Sequence, residues 1–418
     1  MSHNDLVSGL DIGSNSIRLA ITQRVGDFDS KPNVVGVVET QAEGINRGVI
    51  TSIDDAVSSI SACLEKAERI VGVPIEEVWV GISGSHITSQ ESKGVVAAAK
   101  ANGEITEDDV ERAIEAARTV ATPPNYEILH VIPKSFTVDG QSGIKDPIGM
   151  TGVRLEVDTQ IIQGLSSQIK NITKAIYRTG IEIEDIVLSI LATSEAVVTN
   201  RQKQLGCCVI NIGGSTTSMA VFEEGDVMHT AILPVGSEHI TSDIAIGLRI
   251  SIDAAETLKL EHGSSFSKGL SKREDINVGE LNNSESYYIS KKYLAEIIEA
   301  RVEEIFEKID DELKKIDRSG MLPAGVVLTG GGSKLPGIID VAKINLKLPA
   351  SLGYPIDVAA SADRVNDLNF TTALGLALWG HHSHHQKTGE GMRGLFKMDL
   401  SKVSKKMKNI FKSMKKKD

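Results

Sequence analysis

The chain has 418 residues, 41% of them hydrophobic, 24% charged and 4% aromatic, with a formal net charge of −11. That length exceeds one core and predicts two to four domains of ordinary globular composition. No apolar run approaches the roughly 18 residues that cross a bilayer. The amino terminus lacks the basic-then-apolar layout of a secretory signal, and three cysteines make no disulfide framework, so a reducing cytosol is expected.

The first element is "SGLDIGSNSIRLAI", residues 8–21. An apolar strand ends at Asp11, a turn carries Gly13, Ser14, Asn15 and Ser16, and a second apolar strand follows. Turns favour these residues for their backbone freedom, which is one sufficient reading. The other is an anion cradle: a glycine turn presents several N–H groups, small hydroxyls add donors, and an acid at the strand end holds Mg²⁺. Next come a Pro- and Gly-punctuated β region over residues 84–160 with an acid-capped helix at "TEDDVERAIEAARTV", then a strand and amphipathic helix at "TQIIQGLSSQIKNITKAIYRTG".

At "CCVINIGGSTTSMAV" the opening unit recurs, displaced by 200 positions. Asp11 aligns with Asn211, Gly13 with Gly213, Ser14 with Gly214 and Ser16 with Thr216, Ser215 lying between the last two. So long an offset is no solenoid period and indicates two related halves, each opening on a hairpin. Two such turns facing one cleft could grip a polyphosphate from both sides. Neither a G-x-x-x-x-G-K-[ST] loop nor a G-x-G-x-x-G fingerprint is present, and "GISGS" fails as a nucleophile elbow.

Further along, Glu256 and Lys259 stand three apart in "SIDAAETLKLEHG", spacing that also suits a surface ion pair. A polar, loop-rich stretch covers about 262–290, and "LAEIIEARVEEIFEKI" forms a charged helix. In "AGVVLTGGGSKLPGIID" a buried strand ends at Gly330, Gly331 and Gly332, followed by Lys334, where bare backbone admits a flat ligand. The body closes near "TTALGLALWG", and a linker is expected over 381–393, its four histidines lacking spaced partners for a metal site.

The last 25 residues hold nine lysines against two aspartates, so the rest of the chain is strongly acidic. Phe396, Leu400, Val403, Met407, Ile410, Phe411 and Met414 recur at helical period among those lysines. Such a helix is too charged to span a membrane and suits an anionic membrane surface. A nucleic-acid arm would not need the apolar stripe, so nucleic acid is not an expected partner; docking on the protein's own acidic body is the other alternative.

The two hairpins and the triple glycine, in this order, resemble the ATPase superfamily of actin, hexokinase and the heat-shock chaperones. Within it the whole chain resembles the FtsA family of bacterial cell-division proteins, most specifically at "LHVIPKSFTVDGQSGIKDPIGMTGVRLE". The resemblance implies an α/β, duplicated two-lobe actin-like fold with an inserted subdomain and a carboxy-terminal amphipathic helix. It divides the chain into subdomain 1A (1–83 and 161–200), insert 1C (84–160), 2A (201–236 and 306–380) and 2B (237–305).

It further implies ATP and Mg²⁺ between the hairpins, Asp11 and Asn211 facing the metal, Glu256 and Lys259 reaching the adenosine, and Gly236 on the phosphate side. Arg301 and Glu304 match the region that receives the carboxy-terminal peptide of the division protein FtsZ. The implied role is a polymerising adaptor that tethers FtsZ filaments to the cytoplasmic face of the inner membrane, with other division proteins on the insert. One departure stands out: the family's D-x-G-G-G-T pattern has Asn211 in place of Asp, so hydrolysis is expected to be weak or absent and no residue is assigned as catalytic. A pilus assembly protein of the PilM kind, and a sugar or acetate kinase on the same scaffold, remain as alternatives.

Overall fold

The computed structural model describes residues 6–24, 30–100, 102–120, 123–271, 274–281, 288–360 and 364–388. Two sheets organise the body, and they are built alike. The first runs Asn33–Gln41, Ser16–Gln23, Leu6–Ile12, Glu77–Ile82, Glu182–Leu188, with the short strand Ala359–Ala360 added in parallel outside Asn33–Gln41; the second runs Asp226–Leu233, Thr217–Glu223, Cys207–Ile212, Val326–Thr329, Ala350–Leu352. In each, the first three strands are antiparallel and the last two join in parallel. The hairpin registers agree as well: Asp11 lies opposite Arg18, and Asn211 opposite Ser218. The sequence repeat is therefore a repeat of topology.

The central strands are near-continuous apolar runs because both faces are covered. Leu10, Leu19, Val80, Val209, Ile210, Met219 and Leu328 are fully buried, and each such aliphatic side chain contributes about 2 kcal/mol. Helix Ile53–Val71 covers the first sheet; it starts at Ser52, whose hydroxyl accepts from the Asp55 N–H, and stops at Gly72 with φ 79°.

The insert is a four-stranded sheet, in the order Ile87–Ala97, Arg154–Leu165, Tyr126–Val138, Gln141–Ile144, with helix Glu107–Val120 packed against it. Asp109 anchors that helix: its carboxylate accepts from the N–H groups of Ala99 and Thr106, each at 2.9 Å, and pairs with Arg112.

Two helices, Ser189–Val197 and Thr371–Thr388, cross each other between the sheets. At the crossing, a Cβ on Gly375 would fall 2.0 Å from the Ala192 carbonyl oxygen, so only glycine permits this approach. The second of these helices corrects two sequence expectations. It seats Ala373, Leu374, Leu376 and Ala377 on the first sheet, against Val7, Ala20, Val34 and Trp79, although 306–380 was assigned to the second lobe. Its small residues allow that close seating but do not say on which sheet. It also runs through Thr388 where a linker from 381 was expected, because His381 is buried with Nε2 2.9 Å from the Thr22 hydroxyl.

The 2A/2B boundary at 305/306 falls inside helix Lys291–Lys315, and the polar 262–290 stretch holds a small ribbon, Asp275–Asn277 with Tyr288–Ser290. The amphipathic stripe from Phe396 to Met414 lies outside the described residues. Among the described residues, no helix is long and apolar enough to cross a membrane.

Candidate functional site

Each hairpin turn closes on the same bond. The Gly13 N–H donates to the Ser16 carbonyl at 3.1 Å, and the Gly213 N–H to the Thr216 carbonyl at 2.9 Å. The turns face each other across a cleft of about 580 Å³, within the range of small-ligand sites. Asp11, Gly13, Ser14, Asn15 and Ser16 line one side; Asn211, Gly213, Gly214, Ser215 and Thr216 line the other. Glu256, Lys259, Gly330, Gly331, Gly332 and Lys334 complete the wall. The turns approach so closely that a Cβ on Gly214 would lie 2.4 Å from the Asn15 Oδ1. At the floor, the hydroxyls of Ser83 and Ser218 meet at 3.1 Å across the two sheets.

Gly236 alone among the expected residues does not line the cleft. It stands behind the second turn, where the following N–H groups of Ser237 and Glu238 donate to the carbonyls of Gly213 and Gly214 at 2.9 and 2.8 Å. A Cβ on it would collide with the Gly214 carbonyl. Ser215 is also committed, since its buried hydroxyl donates to Glu238. These two residues therefore brace the second turn.

The charges that line the cleft are paired, Asp11 excepted. Burial pushes the Asp11 carboxyl up to about 6, with Arg18 pulling the other way. Arg18 itself contacts Glu39 at 2.8 Å. Lys259 is buried against the Glu256 carboxylate at 2.6 Å, the Thr241 hydroxyl at 2.8 Å and the Ser237 carbonyl at 3.4 Å. Lys334 pairs with Asp367, which also meets Arg364, and Arg364 reaches Glu39.

Asn211 sends its amide nitrogen to the Thr372 hydroxyl at 3.1 Å. Its oxygen lies where a Cβ on Gly330 would be, 2.1 Å away, and Gly330 has φ 84°. Ser189 also borders the cleft, its buried hydroxyl without a hydrogen-bond partner. Sequence reading did not find Arg18, Glu39, Ser83, Ser189, Asp367 or Thr372; of these only Arg18 and Ser83 carry a signal, one residue past a hairpin turn and one at the end of a parallel strand.

Arg301 and Glu304 sit apart from the cleft on helix Lys291–Lys315 and pair with each other. Arg301 also makes two bonds to Asp243, at 2.6 and 2.9 Å, tying its helix to Ser237–Leu248. Ile246, one turn on from Asp243, is 77% exposed.

Residues 84–163 match the family described as "SHS2 domain inserted in FTSA", and residues 208–375 match "Cell division protein FtsA". The chain is 35% identical over 387 residues to the cell division protein FtsA of Pseudomonas aeruginosa, covering 93% of this chain and 91% of that protein. It is 40% identical over 376 residues to FtsA of Neisseria meningitidis, covering 88% and 89%. FtsA of Bacillus subtilis matches at 38% over 376 residues, covering 90% and 83%. The fold is similar to a structure titled "PilM-PilN type IV pilus biogenesis complex", with TM-score 0.66 and 16% identity, over 90% of this chain and 98% of that one. It is also similar to MreB5 of Spiroplasma citri bound to ADP, with TM-score 0.55 and 12% identity, over 93% and 100%. At these identities the likeness is one of fold, the actin-like ATPase fold.

Proposed function

We propose, from the premise that the chain belongs to the FtsA family of cell division proteins, that it is an ATP-binding, actin-like adaptor that tethers FtsZ filaments to the cytoplasmic membrane. The observation that carries the nucleotide part is the cleft between two hairpins of equal register. Its donor set fits a triphosphate: backbone of both turns faces the cleft, with the hydroxyls of Ser14, Ser16 and Thr216 beside it. The bare backbone of Gly330 to Gly332 and the Glu256–Lys259 pair would take the nucleoside end.

The Asp11 carboxylate, with the unpartnered Ser189 hydroxyl nearby, suits a hydrated Mg²⁺, which would neutralise phosphate charge. Asn211 adds an oxygen to this set but no charge, so hydrolysis is slow.

The other acids of the cleft argue against a sugar or acetate kinase. Glu39 is held by Arg18 and Arg364, and Glu256 by Lys259 and Thr241, which leaves no free carboxylate base besides Asp11 among the described lining residues. Against a pilus assembly role stands the contrast between 16% identity to that structure and 35–40% to the division proteins.

FtsZ would dock at Arg301 and Glu304, beside exposed Ile246, with self-assembly and further division proteins engaging other faces, the insert included. The lysine-flanked stripe from Phe396 to Met414 would hold the protein to anionic lipid at the division site. Co-sedimentation tests the tether: the full chain should carry FtsZ down with anionic vesicles, and a chain ending after Thr388 should not. Vesicle binding that survives the truncation would end this reading.

A further inference from the structure

Asn211 begins a run of three hydrogen bonds that passes behind the cleft wall through Thr193. Its amide nitrogen meets the Thr372 hydroxyl at 3.1 Å, Thr372 meets the Thr193 hydroxyl at 2.9 Å, and Thr193 meets the Ser189 carbonyl at 2.8 Å. Ser189, Thr193 and Thr372 are at most 4% exposed.

Proton counting fixes the direction. The Ser189 carbonyl only accepts, so Thr193 spends its one hydrogen there and must accept from Thr372. Thr372 then has no hydrogen left for residue 211 and must accept from it. Only the amide orientation with nitrogen toward Thr372 supplies a proton to every contact. An aspartate at 211 could not donate.

The chain joins three elements: the second hairpin, the amino end of helix Thr371–Thr388, and helix Ser189–Val197. Those helices cross at Gly375 against Ala192 with no room for a side chain. The first sheet seats one of them, and both lead between the lobes.

We infer that the Asn211–Thr372–Thr193–Ser189 chain couples the second phosphate hairpin to the crossing helices, with Thr372 and Thr193 as positioning residues for the cleft. Binding at the hairpin then stiffens the lobe crossing, and loosening the crossing weakens binding. This rests on the nucleotide reading above.

The test uses the full chain and a fluorescent ATP analogue with Mg²⁺. Thr193→Val, outside the cleft lining, should weaken binding by about three- to tenfold, the loss expected from one hydrogen bond. Thr193→Ser should restore it, and Thr193→Val with Thr372→Val should bind no worse than Thr372→Val alone. Unchanged affinity in folded Thr193→Val, or effects that simply multiply, would overturn the coupling. Hydrogen exchange without nucleotide separates the two readings. Thr193→Val should speed exchange at the second hairpin, residues 211–216, even if no analogue binds; unaltered exchange there would sink the chain independently of the ligand.

Discussion

Lys334, at the end of the triple-glycine segment, is ion-paired with Asp367. Asp367 also meets Arg364, Arg364 meets Glu39, and Glu39 meets Arg18 beside Asp11. A line of alternating charge thus runs from the second lobe's glycine segment to the first hairpin. On the proposed function, a triphosphate entering this cleft would compete with Asp367 for Lys334.

Neutralising that competitor should therefore tighten binding. Asp367→Asn is expected to raise ATP affinity about three-fold, because a half-exposed charge in this setting contributes up to about 1 kcal/mol. Added salt should shrink the gain, since screening acts on both pairs. Titration of a fluorescent nucleotide at two ionic strengths checks this. Weaker binding in Asp367→Asn would mean that Asp367 positions Lys334 rather than withholding it.

Asn211→Asp should move two measurements in opposite directions. A carboxylate beside the proposed metal site should raise ATP hydrolysis, which phosphate release at saturating ATP would report. The same change removes the donor that feeds Thr372, costing about 1 kcal/mol of stability. In a chain this long the thermal midpoint should fall by about 1 °C. A faster enzyme with an unchanged midpoint would contradict the hydrogen-bond direction, and a lower midpoint with no gain in rate would show that charge at 211 does not limit turnover.

The duplication was legible because a hairpin states its own register: apolar alternation on both sides of a glycine turn places Asp11 and Asn211 alike, 200 residues apart. The helix at Glu107–Val120 was legible for a similar local reason, through the acid that caps it. Side-chain partners distant in the chain were not legible. Nothing in the surroundings of Lys334 names Asp367, and nothing near Asn211 names Thr372, 161 residues away. The closing helix advertises close packing through Gly375 and its alanines, yet which sheet receives it depends on the complete topology.

Acid should weaken the junction of insert and first lobe through His130. This ring is buried, its Nε2 accepts from the Leu188 N–H at 2.8 Å, and burial lowers its pKa from 6.5 to about 4. The folded state thus favours the neutral ring. Stability from this residue is complete above pH 6.5 and is lost as pH falls toward 4, on the order of 3 kcal/mol in all. His130→Gln keeps an acceptor for Leu188 but does not titrate, so its urea midpoint should vary less between pH 6.5 and 4.5. Parallel pH curves for the two proteins would exclude His130 as the source.

The proposed FtsZ contact can be tested apart from the cleft because Arg301 and Asp243 join two helices away from the lining residues. Arg301→Glu reverses the charge and leaves Asp243 and Glu304 facing a third acid, so affinity for the FtsZ carboxy-terminal peptide should drop at least about tenfold. Loss of this largely buried bidentate pair costs about 1.5–3 kcal/mol, within the stability of an ordinary fold, so nucleotide affinity should hold in the folded variant. Ile246→Asp provides the independent check, since Ile246 is 77% exposed and makes no ion pair. If the peptide sits on this surface, that change also weakens it, by the about 1–2 kcal/mol that a partly buried aliphatic anchor contributes. Fluorescence anisotropy with labelled peptide measures both variants. Binding within two-fold of the parent in each would place FtsZ on a different face of the molecule.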